Sequence, residues 1–283
     1  MKPSLKAKQQ QEPPKNGREN GVVKARSHPA DLDGNPDFVL SLARGLKVIE
    51  AFQGHVNGRS AADIAGDTGL SRAAVRRMLV TLELLGYAER TGQVYRLGTR
   101  MIMLGFAATS SNPLSVFAQP ILENVSAVVH ESCSLGVLEE DEMVYIARAF
   151  ARRVTSVSLS VGSRLPAYCT SVGRVLIAAL PDDQLRAYLK RVELQARTPK
   201  TVTSRAGFGR LIERVRADGF AIVDEELELG HRSIAVPVKT RHDRTVAGLN
   251  TGAHAARISV AEIKQQFLPV LLENAQRLGQ LLA

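Results

Sequence analysis

Apolar residues recur between positions 71 and 85 with the spacing of an amphipathic helix. These positions share one stripe, which we expect to be buried: Val75, Met78, Leu79, Leu82 and Leu85. Ser71 can cap the helix because its hydroxyl can accept a free backbone N–H, and Leu70 can pack on Val75 as a hydrophobic staple. Gly86 follows, as glycine commonly does where a helix ends.

The other faces of this predicted helix are basic. Arg72, Arg76 and Arg77 lie in its first two turns, interleaved with small residues such as Ala73. Arginines placed in this way can approach a phosphate-lined groove closely and reach base edges. A solvated basic face is the alternative interpretation of the same residues.

The segment before this helix favours DNA binding. Residues 60–65 indicate a short helix capped by Ser60, and residues 67–70 indicate a tight turn into Ser71. The order is therefore helix, turn, helix.

The segment after it strengthens the same interpretation. Residues 87–90 and 94–97 read as a hairpin around Gly92. A hairpin directly after the second helix is typical of a winged helix, with Arg90 and Arg96 placed to contact backbone phosphates. We predict a winged helix-turn-helix DNA-binding domain over residues 37–98, in which Ser71 and Ala73 share the DNA-facing surface with the arginines.

Two further apolar stripes flank this domain. A first helix should run from near Ser41 to Gly54 and bury four side chains: Leu42, Leu46, Ile49 and Phe52. A linker helix over residues 99–112, capped by Thr99, carries Met101, Ile102, Leu104 and Phe106. This linker surface would pack against its own winged helix or join two copies of the chain.

The rest of the chain, residues 113–283, alternates between helical and strand periods. A helical stripe comes first: Leu114, Phe117, Ile121, Val125 and Val128. Strands are predicted at 133–138, 143–148, 155–161, 220–223, 233–238 and 246–250, and helices at 171–180, 182–191 and 204–217. The last helix begins with the capping box of Ser259 and Glu262. This order predicts an α+β fold with helices packed on an antiparallel sheet.

Composition adds little to this picture. The net charge of +9 is spread evenly, at +3 for each of residues 1–36 (7 basic, 4 acidic), 37–110 (9 and 6) and 111–283 (21 and 18). The local excess over residues 71–100, six arginines against two glutamates, is more informative. Residues 1–36 indicate a disordered basic tail, either solubilising or adding non-specific attraction to DNA. No signal peptide or long apolar run occurs, so we expect a cytoplasmic protein without membrane contact.

Signatures of catalysis and metal binding are largely absent. Cys133 and Cys169 are isolated and the six histidines are scattered, so we predict no metal site and no cofactor. Gly207-Phe-Gly209 lacks the third glycine and sits inside a helical pattern, so it is not a dinucleotide loop. Neither a Gly-x-x-x-x-Gly-Lys nor a Gly-x-Ser-x-Gly motif occurs, and we predict no enzyme. Residues 224–228 are acidic and read as a carboxylate cluster or as an acidic loop beside Arg232.

The stretch from Gly162 to Gly173 is a more specific candidate site. A strand enters a loop and reaches a helix that starts at Thr170 or Ser171, where free N–H groups can hold an anion. Arg164 and Tyr168 lie in the same loop. A carboxylate pocket is one interpretation, and a Ser171 that merely caps its own helix is the other.

The sequence resembles the IclR family of transcriptional regulators over residues 38–283. The resemblance rests on the winged-helix pattern and on motifs that follow it in order: Gly162-x-Arg164-Leu165-Pro166, Thr170-x-x-Gly173-Arg174, and Asp224-Glu-Glu226-x-x-x-Gly230-x-Arg232-Ser233-Ile234-Ala235-Val236-Pro237. Three further segments are similar to the branch that controls protocatechuate and hydroxybenzoate catabolism: 145–149, 165–171 and 246–250.

The resemblance implies a GAF-like effector domain and a homodimer or dimer of dimers. It implies an effector pocket at Tyr168, Thr170, Ser171, Val172, Ser233 and Asn250, to which Arg148 can add a carboxylate partner. The sequence departs from the family at its long basic tail and at residues 241–244, where a turn containing glycine is expected.

The expected function is a ligand-responsive regulator of an aromatic-acid pathway. It would bind double-stranded operator DNA and a small aromatic or dicarboxylic acid. Two rivals stay open: an enzyme acting on a small aromatic acid with a fused winged helix, and a winged helix used for protein contacts.

Overall fold

The computed structural model describes residues 35–110, 113–151 and 159–282 of the chain. Nearly all of the predicted basic tail and the first four residues of the predicted strand 155–161 lie outside these ranges. The end of that predicted strand, residues 159–161, is not in a strand.

The first elements form a helix-turn-helix with a wing, as predicted. They are α1 (Leu40–Glu50), β1 (Arg59–Ser60), α2 (Ala61–Thr68), α3 (Arg72–Leu84), β2 (Ala88–Thr91) and β3 (Val94–Leu97). The strands form an antiparallel sheet in the order β1-β3-β2. Ser60 and Asp63 make a capping box on α2, and Ser71 accepts a bond from the Ala74 N–H at 3.2 Å. Both predicted helix starts are therefore confirmed.

The core of this part of the molecule is smaller than the apolar pattern predicts. Its buried residues are Val48, Phe52, Ile64, Val75, Leu79 and Tyr95. Leu42, Leu46 and Leu85 were expected inside but are exposed, Leu42 by 62%. The reason is geometric, because α1 directs Val48 to the core, Phe52 enters the core from the turn after the helix, and another apolar face of α1 stays outside.

The next two helices are α4 (Arg100–Ser110) and α5 (Pro113–Val129). Ile102 and Met103 of α4 are each 71% exposed, so these side chains are not packed against their own winged helix. In α5, the predicted stripe is wrong at Phe117 and Val128, which are exposed, while Ile121 and Val125 are buried as expected.

The remaining elements build a six-stranded antiparallel sheet with helices on both faces. They are β4 (Cys133–Glu139), β5 (Glu142–Ala149), β6 (Arg164–Pro166), a 3-10 turn (Ala167–Cys169), α6 (Ser171–Ala178), α7 (Asp182–Arg191), α8 (Arg205–Asp218), β7 (Ala221–Asp224), β8 (His231–Lys239), β9 (Thr245–His254) and α9 (Val260–Gln280). The strand order is β6-β5-β4-β9-β8-β7. The predicted antiparallel α+β fold is confirmed.

Two local features differ from expectation. Residues 164–166, expected in a loop, form the edge strand β6, where Pro166 is tolerated because an edge needs fewer ladder bonds. In the turn between β8 and β9, Asp243 adopts a left-handed backbone with φ 58°. This residue takes the conformation that a glycine would favour in the expected turn.

Helices α5 and α9 pack on one face of the sheet, and α6 and α8 pack on the other. Helix α9 buries four large apolar residues: Ile263, Phe267, Leu271 and Leu278. Within the described ranges no helix is long and apolar enough to cross a bilayer.

Candidate functional site

A β-bulge determines the direction of Arg148. Leu135 pairs with Ala147, but the next residue, Gly136, pairs with Tyr145, so Ile146 is an extra residue in β5. A bulge interrupts the alternation of side chains along a strand. Arg148 therefore lies on the same face as Tyr145, with its guanidinium carbon 5.3 Å from the Tyr145 ring centroid.

Arg148 belongs to a row of residues that crosses four strands. It pairs with Ser134, which pairs with Asn250, which in turn pairs with Ala235. Directly paired residues of antiparallel strands share a face of the sheet. Ser233 lies two residues from Ala235 and shares this face as well.

Helix α6 covers this face beside the row. Gly136 and Gly248 are paired, and a Cβ on either would lie 2.9 or 3.1 Å from the Val172 Cγ1 atom. The glycine pair thus lets the first turn of α6 approach the sheet. At Gly173, a Cβ would lie 2.1 Å from the carbonyl oxygen of Ala167, so the 3-10 turn closes tightly on the same helical turn.

Three buried polar atoms of this region have no hydrogen-bond partner among the described residues: Arg148 Nε, Ser171 Oγ and Asn250 Oδ1. Leaving such a group unpaired costs about 1–3 kcal/mol. Burial raises the pKa of the neighbouring Tyr145 hydroxyl, and its interactions with Arg148 and Asn250 oppose that rise. The arrangement suits a small molecule that carries both a negative charge and a second polar group.

Other predicted site residues already have partners within the chain. Thr170 caps α6 by accepting the Gly173 N–H at 3.2 Å, which leaves Ser171 Oγ free of capping. The Tyr168 hydroxyl donates to the Gln195 carbonyl at 2.7 Å. Arg164 binds Glu139 and Glu142 at 2.8 and 2.7 Å, so its charge is engaged away from the row.

A buried ion pair that the sequence analysis missed supports the loop before α6. Arg174, 1% exposed, donates two bonds to Glu226 at 2.7 and 2.6 Å and a third to the Tyr168 carbonyl at 2.9 Å. Both residues lie in the motifs quoted above, but a pairing across 52 positions cannot be read from a motif.

Three carboxylates of the acidic segment 224–228 each form an ion pair with a different cation. Asp224 binds Arg232, Glu225 binds Lys200, and Glu226 binds Arg174. This arrangement agrees with an acidic loop beside Arg232. Over the ranges that the structure describes, no group of three or more His, Cys, Asp or Glu side chains is placed to hold a metal ion.

The two cysteines are free thiols. Both are buried, and burial raises the pKa of Cys169 to about 11 and that of Cys133 further. Thiols with raised pKa values are poor nucleophiles at neutral pH.

The predicted DNA-facing residues of α3 lie together on one exposed face. Val75 and Leu79 are buried, whereas the opposite side carries the exposed residues Ser71, Arg72, Ala73, Arg76 and Arg77. In the wing, Arg96 is exposed, and Arg90 donates to the Gly92 carbonyl at 2.8 Å while its guanidinium lies 5.5 Å from the Tyr95 ring centroid.

Comparison with known proteins matches two family descriptions to this chain. "IclR helix-turn-helix domain" covers residues 41–92, and "Bacterial transcriptional regulator IclR C-terminal" covers residues 106–280. The Pca regulon regulatory protein of Pseudomonas putida is 48% identical over 246 residues, which are 87% of this chain and 84% of that protein.

Solved structures agree with this match. A putative transcriptional regulator from Rhodococcus sp. RHA1 is 42% identical, with a TM-score of 0.78 over 87% of this chain and 98% of that one. The inducer-binding domain of a double mutant of the Acinetobacter PobR transcription factor, in complex with 3-hydroxybenzoic acid, is 32% identical. Its TM-score is 0.57 over 59% of this chain and 98% of that one. The chain belongs to the IclR family of bacterial transcriptional regulators.

Proposed function

We propose that this chain is a ligand-responsive regulator of an aromatic-acid catabolic pathway, which acts on DNA in the cytoplasm and catalyses no reaction. The observation that supports it is that Arg148 Nε, Ser171 Oγ and Asn250 Oδ1, on the face of the sheet that α6 covers and in α6 itself, are all buried and without a partner among the described residues. A small acid with a second polar group would provide partners for all three. The names of the related regulators support the same interpretation.

The effector in this proposal is a small aromatic acid, with a dicarboxylic acid as the alternative class. Its carboxylate binds Arg148 and Ser171, and the free N–H groups at the start of α6 add donors. The ring packs against Val172, and Asn250 with Ser233 binds the second polar group. Tyr168 and Thr170, whose hydroxyls are engaged, form and hold the wall of the pocket.

The other half of the function is operator recognition. Residues 37–98 form the DNA-binding domain in this proposal, and α3 enters the major groove. Arg72, Arg76 and Arg77 divide between base edges and phosphates, with Ser71 and Ala73 allowing close approach. Arg90 and Arg96 of the wing contact the backbone.

The proposal includes a homodimer of this chain. Residues 99–112 link the DNA-binding domain to a GAF-like effector domain over residues 113–283, and two copies of the chain form a homodimer. The exposed apolar side chains of Ile102 and Met103 in the linker, with Leu42 and Leu46 of α1, support a contact between copies. A dimer reads two half-sites, whereas one winged helix reads few base pairs.

A mobility-shift titration tests the proposal. The full chain is titrated onto the intergenic DNA upstream of its own gene and onto a random duplex, with and without 3-hydroxybenzoate, 4-hydroxybenzoate and protocatechuate. We expect tighter binding to the intergenic DNA and a change in affinity with at least one acid. Equal binding to both duplexes would contradict the operator proposal, and no response to any acid would contradict the effector. Consumption of an acid during the assay would favour the enzyme alternative.

A further inference from the structure

The side chain of His231 lies on the same face of the sheet as the candidate effector site. His231 is the first residue of β8, two positions before Ser233 and four before Ala235, so all three share a face. Ser233 pairs with Gly252 of β9. A Cβ on Gly252 would lie 2.7 Å from His231 Cε1 and 2.8 Å from His231 Nε2, so the imidazole lies directly over Gly252.

This position is adjacent to Asn250, whose Oδ1 is one of the atoms without a partner among the described residues. Gly252 and Asn250 are neighbours on this face of β9, because side chains of a strand alternate. In the part of the chain that the structure describes, the imidazole has no hydrogen-bond partner of its own. His231 also remains exposed, so a bound molecule can reach it.

The imidazole suits a neutral partner better than an anionic one. Its pKa is lowered by partial desolvation of the ring, which packs over Gly252 while the residue stays open to solvent, and by the charges of Arg148 and His254; Glu228 acts in the opposite direction. A neutral imidazole offers one N–H donor and one nitrogen acceptor, which match a phenolic hydroxyl. Arg148, a permanent cation, suits the carboxylate.

We infer that His231 is a specificity-determining residue of the effector site, where its imidazole hydrogen-bonds a ring hydroxyl of an aromatic acid whose carboxylate binds Arg148. This inference rests on the proposed function. Two strand spacings separate β5 from β9, about 10 Å in total. The Arg148 guanidinium lies 5.3 Å from the Tyr145 ring centroid, on the same face of the sheet as His231. An aromatic ring with a carboxylate at one end and a hydroxyl at the other fits this separation.

The geometry also explains why glycine stands at position 252. Any larger side chain there would displace the imidazole from the sheet face. The arrangement therefore orients the acid: the charged end points to β5 and the hydroxyl points to β8 and β9.

Calorimetric titration of the full chain with benzoate, 3-hydroxybenzoate, 4-hydroxybenzoate and 3,4-dihydroxybenzoate tests the inference. We expect the wild type to bind at least one hydroxylated acid about tenfold more tightly than benzoate, which is the range of one hydrogen bond. His231→Leu should remove this preference and leave benzoate affinity within about twofold. His231→Gln, which keeps a donor and an acceptor, should retain part of it.

The matched control is His242→Leu, an exposed histidine in the turn at the other end of the β8–β9 hairpin. It should keep the full preference. Retention of the preference in His231→Leu, or its absence in the wild type, would overturn the inference while leaving the proposed effector class in place. Failure of the wild type to bind any of the four acids would overturn both. Thermal melts of each variant without ligand establish that the fold is intact.

Discussion

The single residues that define the candidate site carry polar atoms that are buried without a hydrogen-bond partner in the part of the chain that the structure describes. Arg148 Nε, Ser171 Oγ and Asn250 Oδ1 each carry a desolvation cost of about 1–3 kcal/mol. A ligand that supplies partners removes this cost only in the folded state, so it stabilises the domain by mass action. In the proposed site Arg148 contributes most of the three, because its bond to a carboxylate would be charge-assisted.

Arg148→Leu should weaken the binding of 3-hydroxybenzoate by about 10- to 150-fold, the range of a hydrogen bond to a charged group. The measurement is the ligand-induced rise in melting temperature across a titration. Ser171→Pro should also reduce the rise, since proline removes both the hydroxyl and the N–H while remaining compatible with the first helical position. Arg241→Leu in an exposed turn is the control. A full ligand-induced rise in both site variants would exclude this anchor.

Replacement of glycine by alanine should change the stability of the fold in opposite directions at two positions. Gly173→Ala should destabilise the fold by about 1–3 kcal/mol or more, because its Cβ would meet the backbone of Ala167 at 2.1 Å. Gly209→Ala, in α8 with no atom within 4 Å, should stabilise it by about 0.5–1 kcal/mol. Urea unfolding measures both. Equal effects at the two positions would show that the backbone of the 3-10 turn can shift to accommodate the added Cβ atom.

At the scale of elements, α3 and α6 carry the two proposed binding functions, and each is held by contacts on its opposite face. Val75 and Leu79 anchor α3, so its arginines remain exposed. Helix α6 is buried throughout and is fixed by Val172 on the glycine pair and by the Arg174–Glu226 ion pair. The exposed arginine side chains of α3 therefore have more conformational freedom than the buried side chains of α6.

Arg76→Ala should weaken binding to the intergenic operator more than binding to random DNA, by about 1–3 kcal/mol of discrimination. Arg96→Ala in the wing should weaken both similarly and reduce the salt dependence by about one unit. Mobility shifts at several salt concentrations measure both effects, with Arg186→Ala of α7 as the control. Equal losses on both DNAs for Arg76→Ala would make this residue a phosphate contact only.

The Arg174–Glu226 pair should dominate the polar contribution to stability. Glu226→Gln leaves the buried Arg174 cation without its counter-charge, so the free energy of unfolding should fall by about 3–5 kcal/mol. Asp243→Asn breaks the exposed pair with Lys239 and should cost less than about 1 kcal/mol, since asparagine tolerates the same backbone conformation. Chemical denaturation compares the two. A small loss for Glu226→Gln would show that solvent or another group compensates the cation.

At the scale of the whole molecule, the exposed apolar surface of α1 and α4 is the feature that a single chain does not explain. Leu42 and Leu46 of α1, with Ile102 and Met103 of α4, leave a large apolar area in water. An effector changes operator binding only if its affinity differs between DNA-competent and incompetent arrangements of the assembly. The contact between copies is therefore the link that the proposed regulation requires.

Ile102→Glu with Met103→Glu should convert the proposed dimer to a monomer, because burying two carboxylates in an apolar contact is costly. Analytical ultracentrifugation measures the change, and operator affinity should fall with it. Leu229→Glu, at an exposed apolar residue of the acidic loop, is the matched control and should leave the assembly unchanged. An unchanged sedimentation coefficient in the double variant would place the essential contact elsewhere.

The elements and most of their order could be predicted from the sequence alone, because helix periodicity, strand alternation and caps such as Ser60, Ser71 and Ser259 act over a few residues. Its motifs also indicated the loop before α6. Burial at Leu42 and Leu85 was predicted wrongly, because periodicity identifies an apolar face but not what covers it.

Which side chains come into contact depends on the packing of the whole chain. The bulge at Ile146 turned Arg148 to the face of Tyr145, and strand pairing set it in a row with Ser134 and Asn250. Pairings across 52 positions, such as Arg174 with Glu226, depend on how the whole chain packs. Local sequence patterns do not predict such contacts. The free energy of a long-range contact arises only when distant segments pack together and exclude water.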